Sequence, residues 1–252
     1  VNSFRPVAWA AVVIALSSDA AYVGAMRWFC SSPLRKSFDV PMNIQYAVNR
    51  FNGLYMEVLG VAVIVPNAYH AAGFAHPGCV VVGEVMVALI AIMLKSGIYD
   101  TEPVTPDRHA IRQSQWHAVT FMGLVPTTLL SISLIGGASA ILIPQAGSLG
   151  VGSSTPFAQR ALCGAASLTW FALACTKMLH LACSEGLHRV AIRLMVVGGA
   201  ASLVPLAVDF GDLGSLAWVT LCGGIVVILQ QVKNAVGQRR ERGSSYDQGA
   251  LI

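Results

Sequence analysis

Three carboxylates lie inside long apolar stretches, where an ionisable group is energetically costly. Asp19, Glu57 and Glu84 each occupy a different stretch, and a charge at the centre of a membrane helix costs on the order of 2.5–3.5 kcal/mol. We place Glu84 in the outer third of its span, Asp19 near the middle and Glu57 in the inner third. This series of depths predicts a route for a proton or a cation. Alternatively, each carboxylate holds neighbouring helices in register through local hydrogen bonds.

A lysine and a histidine three residues apart form a second candidate site. Lys177 and His180 lie on one face of a predicted helix. Near the inner membrane interface, this pair predicts a contact with an anion or with a lipid phosphate. A lipid- or quinone-directed enzyme site that uses His117, His180 or Glu185 is a further alternative, and it requires histidine and carboxylate side chains to converge in a lateral pocket.

The sequence shows none of the residue spacings that are typical of metal, nucleotide or nucleic-acid sites. The six histidines include no HExxH pattern and the six cysteines include no CxxC pair, so no metal site is predicted. No phosphate-binding glycine loop is present, and no basic stretch interleaved with aromatic residues predicts nucleic-acid binding. We predict no cofactor and expect bound lipids.

The amino-acid composition indicates whether this protein resides in water or in a lipid bilayer. Of its 252 residues, 55% are hydrophobic and only 11% are charged, and the mean hydropathy is +0.65. Soluble domains average roughly 45–50% apolar and roughly 25% charged residues. These values exclude soluble globular and disordered proteins and indicate an integral, multi-pass membrane protein.

Apolar segments of about 20 residues can cross a bilayer as helices. Seven segments qualify, and they predict an all-α, polytopic transmembrane bundle within a single domain, residues 1–238. A polar tail, residues 239–252, follows. The predicted spans are Val7–Phe29, Gly53–Phe74, Gly78–Ile98, His117–Ile143, Phe157–Ser184, His188–Val208 and Leu213–Val236.

The basic residues predict the orientation of the bundle. With the N-terminus outside and the C-terminus in the cytoplasm, thirteen Lys and Arg residues between Arg27 and Arg242 face the cytoplasm, whereas only Arg5 and Arg160 face outward. Such an excess is typical of the cytoplasmic side of membrane proteins.

The connections and packing motifs also carry predictions. Ser31–Asn52 is predicted to be an interfacial helix or a polar loop, and Pro144–Pro156 is predicted to be an outer loop.

Small residues four apart allow close helix contacts. They occur at Ala20/Gly24, Gly136/Ala140, Ala161/Ala165 and Gly198/Ser202.

Three functional hypotheses follow. The first is an ion- or proton-linked transporter or channel that uses Asp19, Glu57 and Glu84. The second is a non-catalytic subunit of a larger membrane complex, with the bilayer and other membrane subunits as its partners. The third is the membrane enzyme described above.

Overall fold

A computed structural model describes residues 44–68, 74–101, 109–150, 155–180, 186–208 and 210–249. This part of the chain is helical and contains no strand. A 3₁₀ turn, Val204–Leu206, joins the last two helices. In chain order the helices are α1 (Ile44–Ala68), α2 (Pro77–Thr101), α3 (Ala110–Gln113), α4 (Gln115–Leu149), α5 (Pro156–Leu179), α6 (Gly186–Ala201) and α7 (Gly211–Gly249).

Six of these elements are long and apolar enough to cross a membrane. They overlap the second to seventh predicted spans, and they support a multi-pass integral membrane protein. The first predicted span, Val7–Phe29, lies outside the described residues.

Consecutive spanning helices run in opposite directions. Contacts between Asp100 and Lys177 join the end of α2 to the end of α5. At the opposite end of the bundle, the backbone N–H of His76 donates to the carbonyl of Gly147 at 2.9 Å. We call the end at which α2 and α5 finish the basic end, because Lys95 and Arg189 lie there.

The longest spanning helix organises the bundle. α4 packs against α1, α2, α5 and α7. Its central glycine, Gly136, lies so close to α1 that an added Cβ would be 2.7 Å from the Cα of Ala62. A Cβ added to Gly198 of α6 would likewise clash with the side chain of Val226 in α7. The small residues therefore mark close helix contacts at these two motifs.

Three helices extend beyond their predicted limits. α1 begins at Ile44, so residues 44–52 continue the span and form neither a separate interfacial helix nor a loop. α4 continues through Pro144 to Leu149, and α7 continues to Gly249 through most of the predicted tail. Proline removes one backbone hydrogen bond, but membrane helices tolerate it because neighbouring groups satisfy the freed carbonyl.

Side chains cap the starts of α3 and α4. His109 caps the short helix α3, with its side chain accepting from the backbone N–H of Ile111. Ser114 caps α4, and its Oγ accepts from the backbone N–H of His117 at 3.3 Å. These caps satisfy backbone donors that a helix start otherwise leaves exposed.

Candidate functional site

Glu57 lies on the side of α1 that faces away from the bundle. The buried stripe of this helix contains Tyr55, Leu59, Ala62 and Pro66. Glu57 projects from the opposite side at a helical repeat of 3.6 residues, and its side chain is exposed. Within the described residues, Glu57 lies near the middle of the candidate span Tyr46–Pro66. Its predicted depth in the inner third of the membrane stays a prediction.

The residues around Glu57 form a surface of distinctive composition. Gly53 and Gly60 flank the carboxylate on the same side of the helix, and a Cβ added to either would meet no atom within 4 Å. Large apolar side chains complete the surface, with Ile64 65% exposed. We call this surface the outward face of α1, and it comprises Gly53, Leu54, Glu57, Gly60, Val61 and Ile64.

Glu84 occupies a different environment. It lies in the first third of the Pro77–Thr101 span, away from the basic end, and is half-buried. It borders the buried stripe of α2, which includes Val80 and Val87, and its Oε1 atom is buried. Glu57 points away from the bundle, so the structure does not bring these two carboxylates together. Asp19 lies outside the described residues.

Hydroxyl groups within the spans bond mainly to their own helices. In α4, the hydroxyls of Thr128 and Ser139 donate to the carbonyls of Leu124 and Ile135 at 2.8 Å. A link between helices occurs where Thr169 Oγ1 donates to Ser131 Oγ at 2.8 Å. Thr127, Ser133, Thr176, Ser202, Ser215 and Thr220 follow the same four-residue pattern. These hydroxyls are therefore engaged with backbone carbonyls.

The centre of the bundle is apolar. A small cavity lies between α2, α4, α5 and α7, and its walls include Met93, Trp170 and Gly223. Ile132, Leu142, Leu162 and Leu216 are almost completely buried. The described interior also buries polar side chains, among them those of Ser131, Thr169 and Gln230.

A buried ion pair joins two helices at the basic end. The Nζ atom of Lys177 donates to the Asp100 carboxylate at 2.7 Å and to the Asp100 carbonyl at 2.6 Å. The lysine side chain is only 3% exposed and the aspartate side chain 13%. The lysine charge is thus balanced inside the protein.

His180 lies immediately beyond the α5 span and is buried beside this pair. Its Nδ1 accepts from the backbone N–H of Ala110 at 3.0 Å, so the neutral ring carries its proton on Nε2. The ring centroids of His109 and Phe121 lie 4.8 and 5.9 Å away. Burial, followed by the influence of His109 and Lys177, lowers the pKa of His180 to about 3. The imidazole is therefore uncharged at neutral pH.

A second polar cluster lies at the opposite end of the bundle. Oδ1 of the buried Asp212 accepts from the backbone N–H and the hydroxyl of Thr155, at 2.8 and 2.7 Å. It also accepts from the side-chain amide of Gln159 at 3.3 Å. These bonds tie the beginning of α7 to that of α5. Sequence spacing did not reveal this cluster or the Asp100 partner, because each joins residues that are distant along the chain.

The histidines of the proposed enzyme site have separate partners. His117 Nδ1 lies 2.6 Å from the hydroxyl of Ser114, whereas His180 contacts Ala110 and His109. Glu185 lies outside the described residues. Within the described ranges, no three His, Cys, Asp or Glu side chains are grouped to hold a metal ion.

Comparison with known proteins adds no functional assignment. No protein-family model, curated protein or solved structure matches this chain.

Proposed function

We propose that this protein is a non-catalytic subunit of a larger membrane assembly and that it contacts its partner through the outward face of α1. The observation that carries the proposal is the position of Glu57, near the middle of a span and directed away from the bundle. The apolar lining of the small cavity between α2, α4, α5 and α7 supports a structural role over conduction.

The energetic argument concerns the surroundings of this carboxylate. Acyl chains offer no hydrogen-bond donor, and a charge at the centre of a membrane helix costs on the order of 2.5–3.5 kcal/mol. A neighbouring protein that donates a hydrogen bond would remove most of this cost. Polar residues within membranes commonly join helices in this way.

Assembly can be measured in native membranes. The tagged protein is extracted into native nanodiscs and weighed by native mass spectrometry, and each co-purified chain is tagged in turn. We expect a particle of defined stoichiometry that contains a second membrane protein and is recovered from either tag. A particle containing this chain alone would refute the proposal.

Proton or cation transport through Asp19, Glu57 and Glu84 is a second candidate. The half-buried position of Glu84 in the first third of α2 favours it. Purified protein in liposomes containing a pH-sensitive dye would show proton flux, and Asp19→Asn and Glu84→Gln should abolish it. The surface variant Lys95→Gln serves as the control, and normal flux in the two acidic-site variants would exclude this function.

A further inference from the structure

The last helix, α7, continues far beyond its membrane span. The span closes at Lys233, whereas the helix runs on to Gly249. We propose that this extension binds anionic phospholipid headgroups of the leaflet at the basic end. The contact is made by a basic segment, residues 239–242, which contains Arg239, Arg240 and Arg242. This inference does not depend on the proposed assembly.

A contact between α7 and α2 sets the height of the basic segment. The side-chain amide of Gln231 donates to the hydroxyl of Ser96 at 3.4 Å, and both helices run towards the basic end. Since α2 ends at Thr101 and a helix rises 1.5 Å per residue, the basic segment lies about 4–9 Å beyond the end of α2. This height is at or just above the headgroup layer, which is about 5–7 Å thick. It is also within the roughly 8 Å over which charges act at physiological salt.

The helical register sets the direction of the basic segment. The outer side of the α7 span contains Leu221, Ile228 and Val232, whose apolar side chains are exposed and therefore face lipid in a membrane. Arg239 follows Leu221 by eighteen residues, or five complete turns. Arg242 follows Ile228 by fourteen residues, or about four turns. The basic segment thus continues the side of α7 that faces lipid.

The acidic residue of the segment lies on the opposite side of the helix. Glu241 follows the buried Gln230 by eleven residues, or about three turns, so it continues the side that packs against the bundle. Arg240 lies between the two sides. Within residues 239–242, the lipid side therefore carries positive charge alone. Clusters of basic residues directly beyond a membrane helix are typical binding sites for anionic lipids.

The test measures lipid preference in nanodiscs that contain equimolar phosphatidylserine and phosphatidylcholine. Native mass spectrometry of the released protein gives the ratio of the two retained lipids, and we expect the wild type to retain mainly phosphatidylserine. The triple variant Arg239→Gln/Arg240→Gln/Arg242→Gln should lower this ratio at least about fivefold, which is roughly the contribution of one basic residue near an anionic surface. The matched control, Arg239→Lys/Arg240→Lys/Arg242→Lys, keeps the charge and should keep the preference.

An insertion tests the register separately from the charge. Two alanines inserted after Gly237 turn the basic segment by about 200° towards the bundle side, and we expect the same loss of phosphatidylserine as in the glutamine variant. An unchanged lipid ratio in the glutamine variant or after the insertion would overturn the proposal. A wild-type protein without lipid preference, or an equal loss in the lysine variant, would overturn it as well.

Discussion

At the scale of single residues, the two ends of the bundle are held by buried polar groups with specific partners. Lys177 is directed at Asp100, so its charge stabilises the junction of α2 and α5. The spacing of Lys177 and His180 predicts a contact with an anion or a lipid phosphate, and that contact stays a prediction. Its observed partner, Asp100, is separated from it by 77 residues.

Removing one member of this ion pair should be costly. We expect Lys177→Met to lower the free energy of unfolding by about 3–5 kcal/mol, because it leaves the Asp100 carboxylate poorly solvated. The double variant Lys177→Met/Asp100→Asn should recover part of this loss. Denaturant unfolding in mild detergent measures both, and a single variant as stable as the wild type would contradict the assignment.

His180 should make stability depend on pH. The pKa of His180 is about 3 in the folded protein and 6.5 in the unfolded chain. Between these two pH values the unfolded chain therefore binds more protons than the folded protein. Stability therefore decreases as the pH falls from about 6.5 towards 3, by up to about 1.4 kcal/mol per pH unit. His109 and Lys177 face the ring and reinforce this effect.

Variants can isolate the contribution of His180. Thermal unfolding between pH 7 and pH 4 should show a shallower pH dependence for His180→Gln, since glutamine does not titrate and can still accept the Ala110 N–H. His117→Gln removes the histidine bonded to Ser114 and should behave as the wild type. Identical slopes in all three proteins would exclude the role given to His180.

At the scale of helices, close packing depends on a few positions without a side chain. Gly136 and Gly137 are neighbours in α4 but differ completely in their surroundings. A Cβ on Gly136 would meet the backbone of Ala62, whereas a Cβ on Gly137 would meet nothing within 4 Å. Sequence motifs identified Gly136, but only the rotation of α4 against α1 distinguishes it from its neighbour.

This difference predicts opposite effects from the same substitution. Gly136→Ala should lower the free energy of unfolding by about 1–3 kcal/mol, because the backbones of α1 and α4 must separate. Gly137→Ala should be neutral or slightly stabilising, since alanine favours a helix more than glycine does. Thermal unfolding in nanodiscs compares the pair, and equal effects would show that the crossing tolerates a methyl group.

At the scale of the whole molecule, the number of spans determines the side on which each terminus lies. With the six described spans alone, residue 44 and the C-terminus lie on the same side of the membrane. A seventh span at Val7–Phe29 would put a tag before Val7 and a tag after Gly249 on opposite sides.

Protease protection in sealed vesicles tests this arrangement. We expect the two terminal tags to differ in accessibility, and a tag inserted between residues 150 and 155 to lie opposite the C-terminal tag. The inserted tag is the control, since its position relative to the C-terminus does not depend on the first span. Equal protection of the two terminal tags would exclude an odd number of crossings.

The sequence by itself indicated that this chain belongs in a bilayer and where the six described spans lie. Apolar length and charge density decide this, because backbone groups in lipid must bond within their own helix. Helix ends were predicted less well at Ile44, Pro144 and Gly249, since a proline or a few polar residues need not end a membrane helix.

Only the tertiary structure decided which polar residues meet. It directed Lys177 to Asp100 and Asp212 to Thr155, and it turned Glu57 away from the bundle. Local periodicity shows that one side of a helix differs from the other. In a helix that is apolar almost all round, it does not show which side the neighbouring helices cover, because lipid and protein interiors favour the same residues.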